Sequence, residues 1–196
     1  MLFSGMPNEE PPPLVVEEER IAWQYVCNMS STKTYMDYKA ITNRSSKQYK
    51  YIQENMEIRN GLLYDKDGSI GVALGSWWGD IGSKWTIELS NGQIYDVVKI
   101  DEKADRHTIN GCQHISDGSV IEFVIDSKTI PANWWGGNGL VWNGNFNNYQ
   151  KFNGSITRIG KKIIEEVEID ISKFLPRKQE YKIKRPYLKG LFLIYS

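Results

Sequence analysis

Hydrophobic and polar positions alternate most clearly between residues 84 and 101. Trp85, Ile87 and Leu89 alternate with Thr86, Glu88 and Ser90, which puts three apolar side chains on one face of a strand. Asn91-Gly92 follows, a pair that accepts the positive φ of a tight hairpin turn. Ile94, Val98 and Ile100 then run onward with Val97 on the other face, and the second strand closes at Asp101. Two more short apolar runs, Gly71–Leu74 and Val120–Ile125, are set off by glycine-rich punctuation. Farther on, Gly154–Ile159 and Ile163–Ile171 read as strands, the latter alternating Val167, Ile169 and Ile171 with Glu168 and Asp170. Short strands, frequent turns and no long helical period predict a mainly β barrel or sandwich.

The flanks read differently. Residues 8–20 hold three consecutive prolines between acidic runs, which predicts an extended arm that a partner would have to order. Residues 17–29 place Ile21, Tyr25 and Met29 four apart and predict a short helix. Residues 35–52 read as a strand, a polar turn and another short element. From 128 to 154 the composition shifts to Gly and Asn loaded with aromatics, among them Trp134, Trp135 and Trp142. Three regions follow: an extended N-terminal arm over 1–34, a β-barrel over 35–127, and an aromatic loop with a C-terminal β extension over 128–196.

Charge narrows the function. Lys+Arg and Asp+Glu both number 24, so no net field attracts a nucleic acid or a membrane surface. Cys27 and Cys112 lie far apart without ligand-like spacing, and neither a disulfide framework nor a zinc site is expected. No basic-then-apolar leader opens the chain, and the apolar stretch Leu191–Tyr195 is too short to span a bilayer. These features predict a chain made in the host cytoplasm without a signal peptide. No cofactor and no metal is expected.

The densest set of reactive side chains is Asp101, Lys103, Asp105 and His107. Acids and an imidazole at odd positions suit a divalent cation, but no fourth ligand has recognisable spacing, and a solvated histidine is the plainer reading. Trp77-Trp78 lies beside Gly75 and Gly79, and Trp134-Trp135 beside Gly136-Gly137, so flat rings stand among small neighbours. Such rings stack on the C–H faces of sugars or anchor protein interfaces. Alternation puts one Trp of each pair inward and the other outward.

The segments Ile70–Gly79, Ile81–Gln93, Val97–Thr108 and Ser119–Asp126 together resemble a double-psi β-barrel. They are similar to small proteins of phages and mobile elements of Gram-positive bacteria that share this barrel with rare lipoprotein A. Expansins, three-Asp domain proteins and a membrane-bound lytic transglycosylase carry it too. The resemblance implies a small six-stranded double-psi-type barrel and a target in cell-wall glycan. It implies catalytic acids at strand ends, carried here onto Asp101 with Glu122 on the later strand. Ser76–Gly79 lacks the histidine usual in rare lipoprotein A, and Asp101 is followed by Glu-Lys-Ala where that family has Arg-Gly-Pro.

Two functions follow. In the first, the chain is a virion or tail-associated structural protein in an oligomeric assembly. Its barrel docks on other virion or tail subunits and on peptidoglycan through Trp77, Trp78, Trp134, Trp135 and Trp142. In the second, it is a peptidoglycan-cleaving lytic transglycosylase or glycosidase acting through Asp101. A lytic transglycosylase needs one acid, because the substrate's own 6-hydroxyl attacks, whereas hydrolysis ordinarily uses two carboxyls, here Asp101 and Glu122. The plainer reading of both acids is a solvated strand end.

Overall fold

The computed structural model describes residues 13–24, 27, 32–131, 146 and 150–169. The chain divides into two compact units, one of residues 19–165 and a smaller one formed by 1–18 with 166–196. In the smaller unit the described residues are the start of β1 and the end of β11. The fold is mainly β. The strands among the described residues are β1 (Leu14–Gln24), β2 (Thr34–Asp37), β3 (Glu57–Arg59), β4 (Leu62–Tyr64), β5 (Ile70–Leu74), β6 (Lys84–Leu89), β7 (Ile94–Glu102), β8 (Thr108–Ile109), β9 (Gln113–His114), β10 (Glu122–Ile125) and β11 (Ile156–Ile169). Among the described residues there is a single α-helix, α1 (Lys47–Asn55), and no helix long and apolar enough to cross a membrane.

Nine strands form one mixed sheet in the order β1-β11-β6-β7-β5-β10-β4-β3, with β2 against β10. The pairs β5/β7 and β2/β10 are parallel. The expected strand count was six, and among the described residues the ladder does not close into a barrel. The two strands expected over 154–159 and 163–171 run as one, β11, which pairs with β6.

The β6–β7 hairpin forms as its alternation predicts. Leu89 N–H donates to Gln93 O at 2.9 Å, and Gly92 takes φ +82° at the turn. Trp85, Ile87, Leu89 and Val97 enter a large core with Val72, Phe123, Phe146 and Phe152. Val98 and Ile100, on the opposite face, join Leu63, Ala73, Val124 and Ile52 of α1 in a second core. The central strands of the sheet are therefore covered on both faces. Ser46 starts α1 by accepting a hydrogen bond from Tyr49 N–H at 3.1 Å.

Two further expectations need correction. The helix expected over 17–29 is strand β1 as far as Gln24, while Tyr25 and Met29 lie outside the described residues. Pairing with β11 decides it, because a single stripe of three apolar residues is a weaker constraint than a ladder of backbone hydrogen bonds. Gly160 helps: a Cβ there would lie 2.6 Å from Ile21 and 2.8 Å from the Ala22 carbonyl, so only glycine lets β1 come this close. The cysteines are the other correction. Cys27 and Cys112, 85 residues apart, form a disulfide with Cα atoms 6.0 Å apart.

Candidate functional site

One cross-strand row gathers the candidate acids. Ala73 of β5 pairs with Asp101 of β7 on one side and with Glu122 of β10 on the other, and Glu122 in turn pairs with Thr34 of β2. Two interstrand steps put Asp101 and Glu122 about 10 Å apart at Cα, with only a methyl group between them. A register shift between Val72 and Ala73 brings Asp101, rather than Ile100, opposite Ala73. Both acids are half-buried. Burial pushes the Asp101 carboxyl above its ordinary value. A hydrogen bond from the Glu102 backbone opposes that rise, and the charge of Glu122 adds to it.

Lysines frame the row. Lys103 is buried, its Nζ donating to the Ser119 hydroxyl at 2.9 Å and to the Ser119 carbonyl at 3.2 Å. Burial holds it below the usual lysine value, against the pull of Glu122 and Asp117. Lys99 is fully buried. Its Nζ donates to the carbonyls of Gly75 at 2.9 Å and Gly79 at 2.6 Å, and to the Glu102 carboxylate at 2.7 Å. It thereby clamps the turn that carries the tryptophan pair. That turn follows the one-in, one-out expectation: Trp78 is 0% exposed and Trp77 52%. Trp78 packs edge-on against Trp85 at 5.0 Å and donates from Nε1 to the Cys112 carbonyl at 3.1 Å.

The neighbouring 105–112 segment locks onto the same turn. Ser76 Oγ donates to Asp105 at 2.6 Å, and Trp77 N–H donates to the Gly111 carbonyl at 3.1 Å. A Cβ on Gly75 would sit 1.9 Å from that carbonyl, so glycine is required there. Asp105 is thus a structural acceptor. Among the described residues no group of three His, Cys, Asp or Glu side chains is placed to hold a metal ion.

Clefts open elsewhere among the described residues. One, of about 370 Å³, is lined by Lys84, Trp85, Asp96 and Lys162 among others. Another, of about 420 Å³, lies between Tyr38 and the start of α1. Asp101, Glu122 and Trp77 line neither. Trp134, Trp135 and Trp142 lie outside the described residues.

The sequence reading missed Lys99 as the clamp, Lys103 as the buried neighbour of Glu122, and Ala73 as the spacer. Lys99 had a legible signal: a lysine between Val97-Val98 and Ile100 in a two-sided buried strand must carry its charge to a partner. Ala73 had none, because its role depends on register. Comparison with protein-family models, with curated proteins and with solved structures finds no match for this chain.

Proposed function

We propose that the chain is a wall-glycan-directed protein of a phage or related mobile element, carried in the virion or its tail, in which Asp101 donates a proton to a glycosidic oxygen. The observation that carries this reading is the Asp101–Ala73–Glu122 row, where a half-buried acid with a raised pKa stands beside a second carboxylate. A carboxyl pKa shifted upward is the direction that leaving-group protonation favours. The O–H bond of Asp101 breaks as the glycosidic C–O bond breaks. The substrate's 6-hydroxyl oxygen closes onto the anomeric carbon and returns its proton to the Asp101 carboxylate, with no water consumed. Glu122 supplies negative charge to the developing oxocarbenium ion. The two parallel pairings within a largely antiparallel sheet support a double-psi-type arrangement of the strands.

A second reading, a purely structural subunit that docks on virion or tail partners, draws support from a different observation. Trp77 stands exposed beside a turn that Lys99 clamps. One experiment separates the two. Purified protein is incubated with peptidoglycan, and released anhydro-muropeptides are measured for wild type, Asp101→Asn and Glu122→Gln. Release lost in Asp101→Asn and reduced in Glu122→Gln supports the catalytic reading. Pelleting with the wall without release, unchanged in both variants, leaves the docking reading standing alone.

A further inference from the structure

The cleft beside α1 has a composition that the acid row does not explain. Tyr38 and Tyr49 present half-exposed rings, Ile41 and the buried Ile52 form an apolar floor, and no carboxylate is among the lining residues. Two cations reach it, and they differ. Lys39 is already committed: its Nζ donates to Asp126 at 2.9 Å and lies 4.9 Å from the Tyr38 ring centre. Arg44 is exposed and, among the described residues, has neither an ion pair nor a side-chain hydrogen bond. At about 420 Å³ the cleft falls at the lower end of small-ligand sites.

From this we infer that the cleft is a binding subsite for an anionic sugar, with Arg44 holding its carboxylate or phosphate. A guanidinium fork matches either group bidentately and carries little cost in losing its hydration. The tyrosine rings and Ile41 offer flat apolar contact to one face of a pyranose. Thr42 and Gln53, also at the cleft, supply donors and acceptors for ring hydroxyls. The position fits a subsite removed from the acids. Thr34, level with Glu122, lies four residues before Tyr38, so the cleft begins about 13 Å along β2 from the acid row. Tyr38, Met36 and Val124 pack into the same second core as Ala73, so the cleft and the row share a sheet face. The anion preference rests on the cleft alone, whereas the choice of a sugar rests on the wall-glycan reading.

The test uses the full chain and three matched probes: N-acetylglucosamine, N-acetylmuramic acid and N-acetylglucosamine 1-phosphate. Binding is followed by calorimetry and by amide shifts of residues 38–53. The expected result is that at least one anionic probe binds about tenfold tighter than the neutral sugar, the scale of one charge-assisted hydrogen bond. Arg44→Gln should erase that preference, with folding checked by circular dichroism, while Asp101→Asn should keep it. Preference for muramic acid identifies the carboxylate as the anion, and preference for the phosphosugar identifies the phosphate. Equal binding of all three probes, absence of binding, or a preference that survives Arg44→Gln overturns the inference. Failure of the catalytic reading shows separately, as an absence of anhydro-muropeptide release or as release that does not depend on Asp101.

Discussion

Lys99→Met removes the clamp beneath the Trp77-Trp78 turn while keeping a side chain of similar length. Three hydrogen bonds disappear, and they are unequal. The buried Gly75 carbonyl loses this donor but keeps the Trp78 N–H at 3.2 Å, so the loss is that of one hydrogen bond, about 1 kcal/mol. Gly79 is exposed, so water replaces part of its bond. Glu102 is 43% exposed, and its ion pair is worth under about 1 kcal/mol. Relief of the buried charge offsets part of the loss. The expected net destabilisation is about 1–2 kcal/mol, read as a lower urea midpoint with an unchanged slope. Glu102→Gln, which breaks only the exposed contact, should cost under about 1 kcal/mol. Trp77 fluorescence should also change in Lys99→Met. If Lys99→Met costs no more than Glu102→Gln, the Gly75 and Gly79 carbonyls are not what the lysine holds, and the reasoning is refuted.

Reduction of Cys27–Cys112 should lower stability by about 4–5 kcal/mol, since the bridge closes a loop of 85 residues. Thermal melts with and without reductant, alongside thiol titration, read this directly. Asp101→Asn should raise stability at pH 7. The folded protein holds the Asp101 pKa above its ordinary value of 3.8, so its stabilising contribution is complete at low pH and is lost as pH rises through the folded value. The amide has no charge to bury. A decrease in urea midpoint at pH 7 would contradict the assigned burial. Asp37 and Asp126 should behave oppositely. Burial pushes both up, but hydrogen bonds from Ser127 to Asp37 and from Lys39 and Thr129 to Asp126 outweigh it and hold both below 3.8. Their contribution is present above that value and is lost as pH falls through the lower folded values. Urea midpoints should therefore fall as pH drops below about 4, and less steeply in Asp37→Asn.

What could be read from residue order was whatever depends on neighbours in the chain. The period of two in Trp85–Leu89, the Asn91-Gly92 turn and the opposite facing of Val97 and Val98 follow from strand geometry, and all three appear in the structure. Trp78 lies inside and Trp77 outside as strand alternation predicts, but the pair sits on a 3-10 turn, Ser76–Trp78, so the outcome was legible while its local geometry was not. β1 was misread because three apolar residues four apart in a short acidic segment satisfy a helix as well as a strand, and the choice falls to β11, more than a hundred residues away.

The site depends still more on long-range registration. Asp101 and Glu122 were each identifiable as acids at strand ends, but their placement on either side of Ala73 depends on the register of β5 against two other strands and on a local shift beside Lys99. A one-residue slip would send Glu122 to the opposite face, and no local pattern forbids that slip. The cysteine pair makes the same point: nothing near Cys27 or Cys112 announces the other, and the fold alone brings their Cα atoms to 6.0 Å. Sequence alternation thus decided which residues form strands and which faces are apolar. The distances between strands decided which polar residues meet, because backbone pairing acts between segments whose order in space the chain does not spell out.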